Sequence, residues 1–272
     1  MKIQDHFLTK ETFEIRETNI PGILKTDPLP QNFGRYYESD QYISHHQDQG
    51  GLKEKLYKFL QKFNLNFKRN TIASEIGINL NLLDYGCGAG SFLEFMEPEY
   101  KTFGFELDQD ALKIAKSKAK NTTFISNLDE LENGSLDVIT LWHVLEHIEN
   151  RDEMIQKFHS KLKKNGLLII AVPNHTSYDA KKYKNFWAAY DVPRHIWHFS
   201  KTGMENYFSN ENWNLKKIKP LLLDSFYISM LSEKYKKSPL FWVKGFFFGG
   251  ISNFKGLKSG EFSSLVYLVE KK

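Results

Sequence analysis

The chain has 272 residues, 41% apolar and 26% charged, a composition that supports a buried core and argues against disorder. Its 37 basic and 33 acidic residues leave a formal charge of +4, spread along the chain, which disfavours a nucleic-acid partner. A single cysteine, Cys87, excludes an internal disulfide framework and a cysteine zinc cluster, and no metal is expected.

The start of the chain, Met1 to His6, lacks the apolar stretch of a signal peptide. The longest apolar run, Leu167 to Val172, falls far short of the roughly 20 residues that span a bilayer. A cytoplasmic protein without a transmembrane segment is expected. Residues 1–50 are polar and irregular, with aromatic residues at Phe33, Tyr36, Tyr37 and Tyr42, and are assigned as an N-terminal cover segment. From Leu52, apolar residues Leu56, Phe59, Leu60, Phe63 and Phe67 recur on one face of a helix.

Short apolar runs then alternate with helical patterns. Strands are predicted over 80–85, 101–106, 122–125, 136–141 and 167–172, and helices over 91–96 and 150–164, with Asp108 capping a third. Asn150 and Glu153 form a capping-box pattern, and Asn165-Gly166 is read as the stop of the last helix. Leu167 to Val172 is continuously apolar, as in a strand buried on both faces. Thr202 and Glu205 are read as opening a further helix. A strand over 213–222, helices over 225–237 and 239–249, and a strand over 264–269 complete the pattern. The alternation implies an α/β fold: a doubly wound, Rossmann-like, seven-stranded sheet with helices on both faces and a C-terminal helical insertion. Residues 51–272 form one domain in this reading, with a ligand-binding core at 80–175 and a substrate-side elaboration at 176–260.

The central signal is Asp84-Tyr85-Gly86-Cys87-Gly88-Ala89-Gly90, an apolar strand running through an acid into alternating glycines just before a helix. Such glycines let the backbone turn sharply and approach a ligand, and the helix N-terminus favours negative charge. Sixteen residues after Gly90 the next strand ends at Glu106, where a carboxylate can take both hydroxyls of a ribose. A dinucleotide fingerprint would place its third glycine at Ser91, so the spacing argues against a nicotinamide-dependent oxidoreductase.

The glycine loop resembles motif I of class I S-adenosylmethionine-dependent methyltransferases, and the resemblance covers about residues 50–175. It implies that Asp84, Tyr85, Gly86, Cys87, Gly88, Gly90, Glu106 and Leu107 bind S-adenosylmethionine, with S-adenosylhomocysteine as product. It places Asn127 and Leu128 beside the adenine and Trp142 with His143 on the far side of the cofactor. The stretch Trp142-His143-Val144-Leu145-Glu146-His147 is similar to one found across the superfamily. Likeness to quinone-biosynthesis O-methyltransferases suggests a metal at His143, Glu146 and His147; a histidine bonded to backbone is the reading preferred here, because one short segment rarely completes a metal shell.

Tyr190-Asp191-Val192-Pro193-Arg194-His195-Ile196-Trp197-His198-Phe199-Ser200 resembles a loop in one bacterial small-molecule branch of the family. His195 and His198 are the candidate bases, and Arg194 the candidate partner of a substrate phosphate or carboxylate. An alternative reading has Arg194 pairing with Asp191 to order the loop. Tyr36, Tyr37 and Tyr42 fall in a stretch similar to the N-terminal segment of the same branch, which the resemblance folds over the cofactor to narrow the entrance, and they are the candidate substrate contacts. The expected acceptor is a small molecule, sugar-containing or quinol-like. A non-catalytic cofactor-binding protein is the rival from another class. The aromatic run Phe241 to Phe248 fits an extra helix packed on the core, with a lid, a homodimer surface or a shallow membrane contact as alternatives.

Overall fold

The computed structural model describes residues 1–37 and 52–272. Tyr42, among the residues expected to meet substrate, lies outside them. The elements in chain order are β1 (Lys2–Gln4), β2 (Thr12–Glu17), β3 (Ile23–Thr26), α1 (Leu52–Ile76), β4 (Asn81–Tyr85), α2 (Ser91–Met96) and β5 (Lys101–Phe105). They continue with α3 (Gln109–Lys118), β6 (Thr123–Phe124), β7 (Leu136–Trp142), α4 (Arg151–Lys161), β8 (Leu162–Pro173) and α5 (Tyr178–Tyr183). The last are β9 (Trp197–Phe199), α6 (Lys201–Tyr207), β10 (Trp213–Pro220), α7 (Leu222–Tyr235), α8 (Phe241–Ser259) and β11 (Ser264–Lys271).

Seven strands form the expected sheet, mostly parallel, in the order β10-β11-β8-β7-β4-β5-β6. Strand β4 lies parallel to β5 on one side and β7 on the other, with Tyr85 opposite Phe105. Leu167 to Val172 of β8 are all buried, as a continuously apolar strand requires. Helix α4 stops at Lys161 rather than 164, because Leu162 already enters β8 and Lys163 reaches back to Asp137 at 2.8 Å. Asn165, read as a helix stop, sits left-handed (φ 63°) within that strand segment.

By internal contacts the chain divides into two units. One contains His143–Arg151, Ile170–Val269 and the described part of Met1–Tyr42; the other contains Asp152–Ile169, Glu270–Lys272 and the described part of Ile43–Trp142.

In the first unit, the segment expected to be irregular carries three strands. β1, β2 and β3 pair antiparallel, and β3 pairs with β9, setting Leu24 opposite His198. These strands are short, and only one or two residues of each are buried (Ile3, Ile15, and Ile23 with Thr26), so their apolar signal is slight. Ile3 and Ile15 join Trp187, Tyr190, Val192 and Ile228 in one apolar cluster. Helix α6 is capped by Ser200, which accepts from Gly203 N at 2.9 Å, two residues before the expected Thr202.

Helix α8 runs ten residues past its expected end, to Ser259, and of its aromatic run Phe248 packs inward as expected, against the cluster of Tyr183 and Trp187, while most of the rest does not. Its buried residues are Gly245, Gly249, Ser252 and Gly256, while Trp242, Phe246 and Phe247 are exposed. In the second unit, Phe59, Leu60 and Phe63 of α1 are likewise exposed, and the helix buries Thr71 and Ile72 near its end instead. Among the described residues no helix is long and apolar enough to cross a membrane.

Candidate functional site

The glycine loop follows β4 in the second unit. Gly86, Gly88 and Gly90 all adopt positive φ (81°, 54° and 77°), which L side chains rarely take. Gly86 N and Cys87 N both donate to the Phe105 carbonyl, at 2.8 and 3.0 Å, tying the turn to the end of β5. Gly90 forms the N-cap of α2, and a Cβ there would lie 2.8 Å from Ala115 Cα. A Cβ on Gly88 would meet nothing within 4 Å. One glycine is dictated by packing; the other leaves open space at the loop.

Glu106 closes the loop from the next strand end. Its Oε2 accepts from Gly88 N at 2.8 Å and its Oε1 from Asp108 N at 2.9 Å. A carboxylate has about four acceptor positions, so two remain for a vicinal diol. Asp84 is buried at the end of β4, where Thr140 Oγ1 donates to it at 2.6 Å. Burial pushes its carboxyl up to about 6, against the opposing pull of Lys68. Cys87 is also buried, which together with the nearby acids pushes its thiol far up and leaves it inert. Trp142 is buried with its indole Nε1 unpartnered, and Lys68 Nζ lies 4.5 Å from the ring centroid.

Asn127 caps the turn at 128–130, its Oδ1 accepting from Asp129 N at 2.8 Å, while Leu128 is buried and Leu107 exposed. The empty Cβ direction at Gly88, the spare lone pairs of Glu106 and the orphaned Trp142 N–H suit a ligand with a ribose and further polar groups. These residues fit an adenosine-containing cofactor.

The first unit holds a second cluster. Three hydrogen bonds stitch the turn at 145–148 to the loop at 194–197: Ile196 N to Glu146 O (2.8 Å), His147 Nδ1 to Arg194 O (3.0 Å) and Trp197 Nε1 to Ile148 O (2.8 Å). His147 therefore bonds to backbone, as expected. The same stitching brings its ring against His195, with centroids 4.7 Å apart. His195 Nδ1 donates to the Ala189 carbonyl at 2.9 Å, which puts the lone pair of the neutral ring on Nε2.

Glu146 is fully buried, and neither carboxylate oxygen has a hydrogen-bond partner. Burial alone would raise its carboxyl, but the His143 imidazole and the neighbouring histidines hold it below the usual range. Glu146, His147 and His195 each offer one ligand atom, all within 4.8 Å of one another. This trio, with His195 in place of His143, could hold a metal ion.

His143 sits left-handed (φ 60°) immediately after β7, with its N–H on the Ala171 carbonyl. Its Nε2 lies 2.9 Å from Asp224 and its Nδ1 3.4 Å from Glu146. Burial would lower its pKa, but these two acids lift it to about 10. Burial and the neighbouring His195 push His147 down to about 4. The pair therefore presents one imidazolium and one neutral ring near neutral pH.

The remaining candidates are placed as follows. Arg194 is 1% exposed and spends its donors on Asp191, Asp5 and the Tyr36 carbonyl. His198 is buried, its Nε2 2.9 Å from Thr26 Oγ1, and Thr26 in turn donates to the His195 carbonyl. Burial pushes its pKa well below the usual value. Tyr36 is buried with its hydroxyl on Glu11, whereas Tyr37 OH reaches His147 Nδ1 at 3.3 Å. Asp5 and Asp224 carry charges that sequence reading missed: they lie 189 and 81 residues from Arg194 and His143, and no local pattern marks them.

A family described as a methyltransferase domain matches residues 44–218. The carboxy-S-adenosyl-L-methionine synthase of Campylobacter jejuni is 30% identical over 118 residues, covering 40% of this chain and 50% of that protein. The ubiquinone biosynthesis O-methyltransferase of Glaesserella parasuis is 30% identical over 109 residues, covering 35% of this chain and 46% of that protein. The chain thus spans about half the length of the curated relatives it matches. The structure of the plantazolicin methyltransferase in complex with SAH aligns at a TM-score of 0.54 and 14% identity, covering 87% of this chain and 92% of that one, a likeness of fold.

Proposed function

The chain belongs to the class I S-adenosylmethionine-dependent methyltransferases, and on that premise we propose that it methylates a hydroxyl group of a small, quinol-like acceptor. The observation that carries the acceptor chemistry is the buried Glu146 carboxylate, without a hydrogen bond at either oxygen, ion-paired with His143 at 3.4 Å and set beside His195. Bound S-adenosylmethionine supplies an activated methyl group on a cationic sulfur. Glu106 holds the ribose hydroxyls and the Gly86–Gly90 loop the methionine part, with Tyr85, Cys87, Leu107, Asn127, Leu128 and Trp142 around them.

His195 takes the proton of the acceptor hydroxyl at Nε2, and the Glu146 carboxylate stabilises the imidazolium that results. His143, paired with Asp224, positions Glu146 rather than touching cofactor. His198 acts through Thr26, whose hydroxyl fixes the His195 backbone, and Arg194 acts by holding Asp191 and the loop. Tyr37 is the tyrosine that meets the acceptor, while Tyr36 orders the N-terminal segment through Glu11. A ubiquinone biosynthesis O-methyltransferase among the relatives supports a phenolic acceptor. The protein acts in the cytoplasm in this reading.

The test is transfer of labelled methyl from S-adenosylmethionine to a panel of catechols and hydroxybenzoates. His195→Gln is expected to slow that transfer by roughly 10²–10⁴-fold, the usual contribution of a general base. Its affinity for S-adenosylhomocysteine should stay within about twofold of the wild-type value. Wild-type turnover in the variant would remove His195 from the reaction.

A second reading rests on the convergence of Glu146, His147 and His195: both histidines give Nδ1 to a backbone carbonyl, leaving Nε2 to face a cation. Exhaustive chelation decides between the two. Unchanged turnover fits the base; loss of turnover restored by a divalent cation makes His195 a ligand.

Asp84 gives the cofactor site a pH dependence. Its pKa of about 6 in the folded chain exceeds the ordinary 3.8, so the folded state binds more protons than the unfolded one between those values. Stability therefore falls as pH rises through that window. Cofactor binding has the opposite sign, since the ammonium group shared by S-adenosylmethionine and S-adenosylhomocysteine favours ionised Asp84. Affinity for S-adenosylhomocysteine is expected to drop about tenfold from pH 7.5 to pH 5, one pKa unit below the transition. The Asp84→Asn variant should show no such slope; an equal slope in both would place the proton elsewhere.

A further inference from the structure

Helix α8 buries its smallest residues and exposes its largest. Gly245, Gly249, Ser252 and Gly256 recur at steps of four, three and four, which aligns them on one stripe. That stripe packs on α7 and its surroundings with no room for side chains. A Cβ on Gly249 would lie 2.7 Å from Phe226 Cα, one on Gly256 2.6 Å from the Phe262 ring, and one on Gly245 would collide with the Met230 backbone. Close approach of the two helices is thereby fixed; Phe248 packs inward against Tyr183, while Trp242, Phe246, Phe247, Phe254 and Leu257 are left on the outer face.

They fill it. Trp242 is 59% exposed, Phe246 70% and Leu257 74%, and Phe247 and Phe254 stand beside them on the same broad arc. An apolar face of this kind on one helix exceeds the scattered exposed residues of an ordinary surface.

Between Glu233 and Glu261 the chain carries charge of one sign. Residues 234–260 contain six lysines and no aspartate or glutamate. Lys234, Lys236, Lys237, Lys255 and Lys258 are exposed, and Lys255 and Lys258 sit on α8 itself. Each of the two lies over an aromatic ring, Tyr178 at 4.0 Å and Phe254 at 5.2 Å, so charge and apolar surface are contiguous.

We propose that the outer face of α8 docks on an anionic phospholipid bilayer, lying in the plane of the interface. Tryptophan and phenylalanine sink to the headgroup boundary while lysines meet the phosphates, the combination that interfacial helices use. A second copy of the chain is the poorer occupant, because two such faces would bring lysines together with no acid to answer them.

The experiment is co-sedimentation of the full chain with vesicles of phosphatidylcholine alone or mixed with phosphatidylglycerol. Binding is expected only to the anionic vesicles and should weaken as salt rises. Phe246→Ser/Phe247→Ser and Lys255→Glu/Lys258→Glu are each expected to reduce it at least tenfold. All four side chains are exposed, although Phe246 stacks on Phe226, so cooperative unfolding at or slightly below the wild-type temperature should confirm that the variants fold. No binding to anionic vesicles, or equal binding by wild type and both variants, would overturn the proposal. So would light scattering showing a wild-type dimer that Phe246→Ser/Phe247→Ser dissociates, which would give the face to a second copy.

Discussion

Gly88→Val is expected to abolish binding of S-adenosylhomocysteine while leaving the chain folded. The reason lies in the difference between two glycines of one loop. At Gly88 the Cβ direction is open, with nothing within 4 Å, so a side chain there strikes only what binds. Its φ of 54° adds a left-handed penalty of about 1–2 kcal/mol, which an ordinary domain survives. The loss of affinity should be at least about 100-fold, or roughly 2.7 kcal/mol.

Gly90→Val should behave in the opposite manner. Its Cβ would press on Ala115 of α3 at 2.8 Å, so the damage appears first as a lower unfolding temperature. Thermal unfolding and calorimetric titration of the two variants separate the effects. Retained binding by Gly88→Val would make the loop purely structural.

Arg194→Met is expected to cost about 3–5 kcal/mol of stability, the price of breaking a buried ion pair from one side. Arg194 pairs with Asp5 at 3.0 Å and Asp191 at 2.7 Å, and it also donates to the Tyr36 carbonyl. Burial would lower its pKa, but the two carboxylates outweigh burial and keep it charged. Removing the guanidinium leaves Asp5 buried, although Phe7 N, Leu8 N and Thr9 N still donate to it. It also unties strand β1, the 190–200 loop and the Tyr36 turn at one stroke. A fall in unfolding temperature of roughly 6–20 °C follows for a chain of this size. Arg16→Met, which removes an exposed pair with Glu14 and Asp27, should not shift it measurably. Equal stability of the Arg194 variant and the wild type would contradict this account.

These two predictions differ in how visible their causes are in the sequence. The turn at Gly86, Gly88 and Gly90 and the approach of Glu106 to it were legible because they are local: a strand, a turn and a second strand end within 23 residues. The parallel sheet was legible for the same reason, since buried strands such as 167–172 are apolar throughout. Arg194 was not. Its nearest sequence partner, Asp191, suggested a simple loop salt bridge, and the deeper partner Asp5 arrives from the other end of the chain.

His143 shows the same limit. Its position after β7 implied a cofactor contact, but Asp224 from α7 claims the ring. The N-terminal strands escaped notice because only one or two residues of each are buried, too few to register as alternation. Helix α8 misled through composition: aromatics at helical spacing usually point inward, and here four small residues reverse the helix.

The most direct test of the central claim is calorimetric titration of the chain with S-adenosylhomocysteine, after unfolding and refolding to strip any carried ligand. One-to-one binding at micromolar affinity or tighter, lost in Gly88→Val, is the predicted result. A folded wild-type chain that does not bind S-adenosylhomocysteine but binds reduced nicotinamide dinucleotide would contradict the assignment of the Gly86–Gly90 loop.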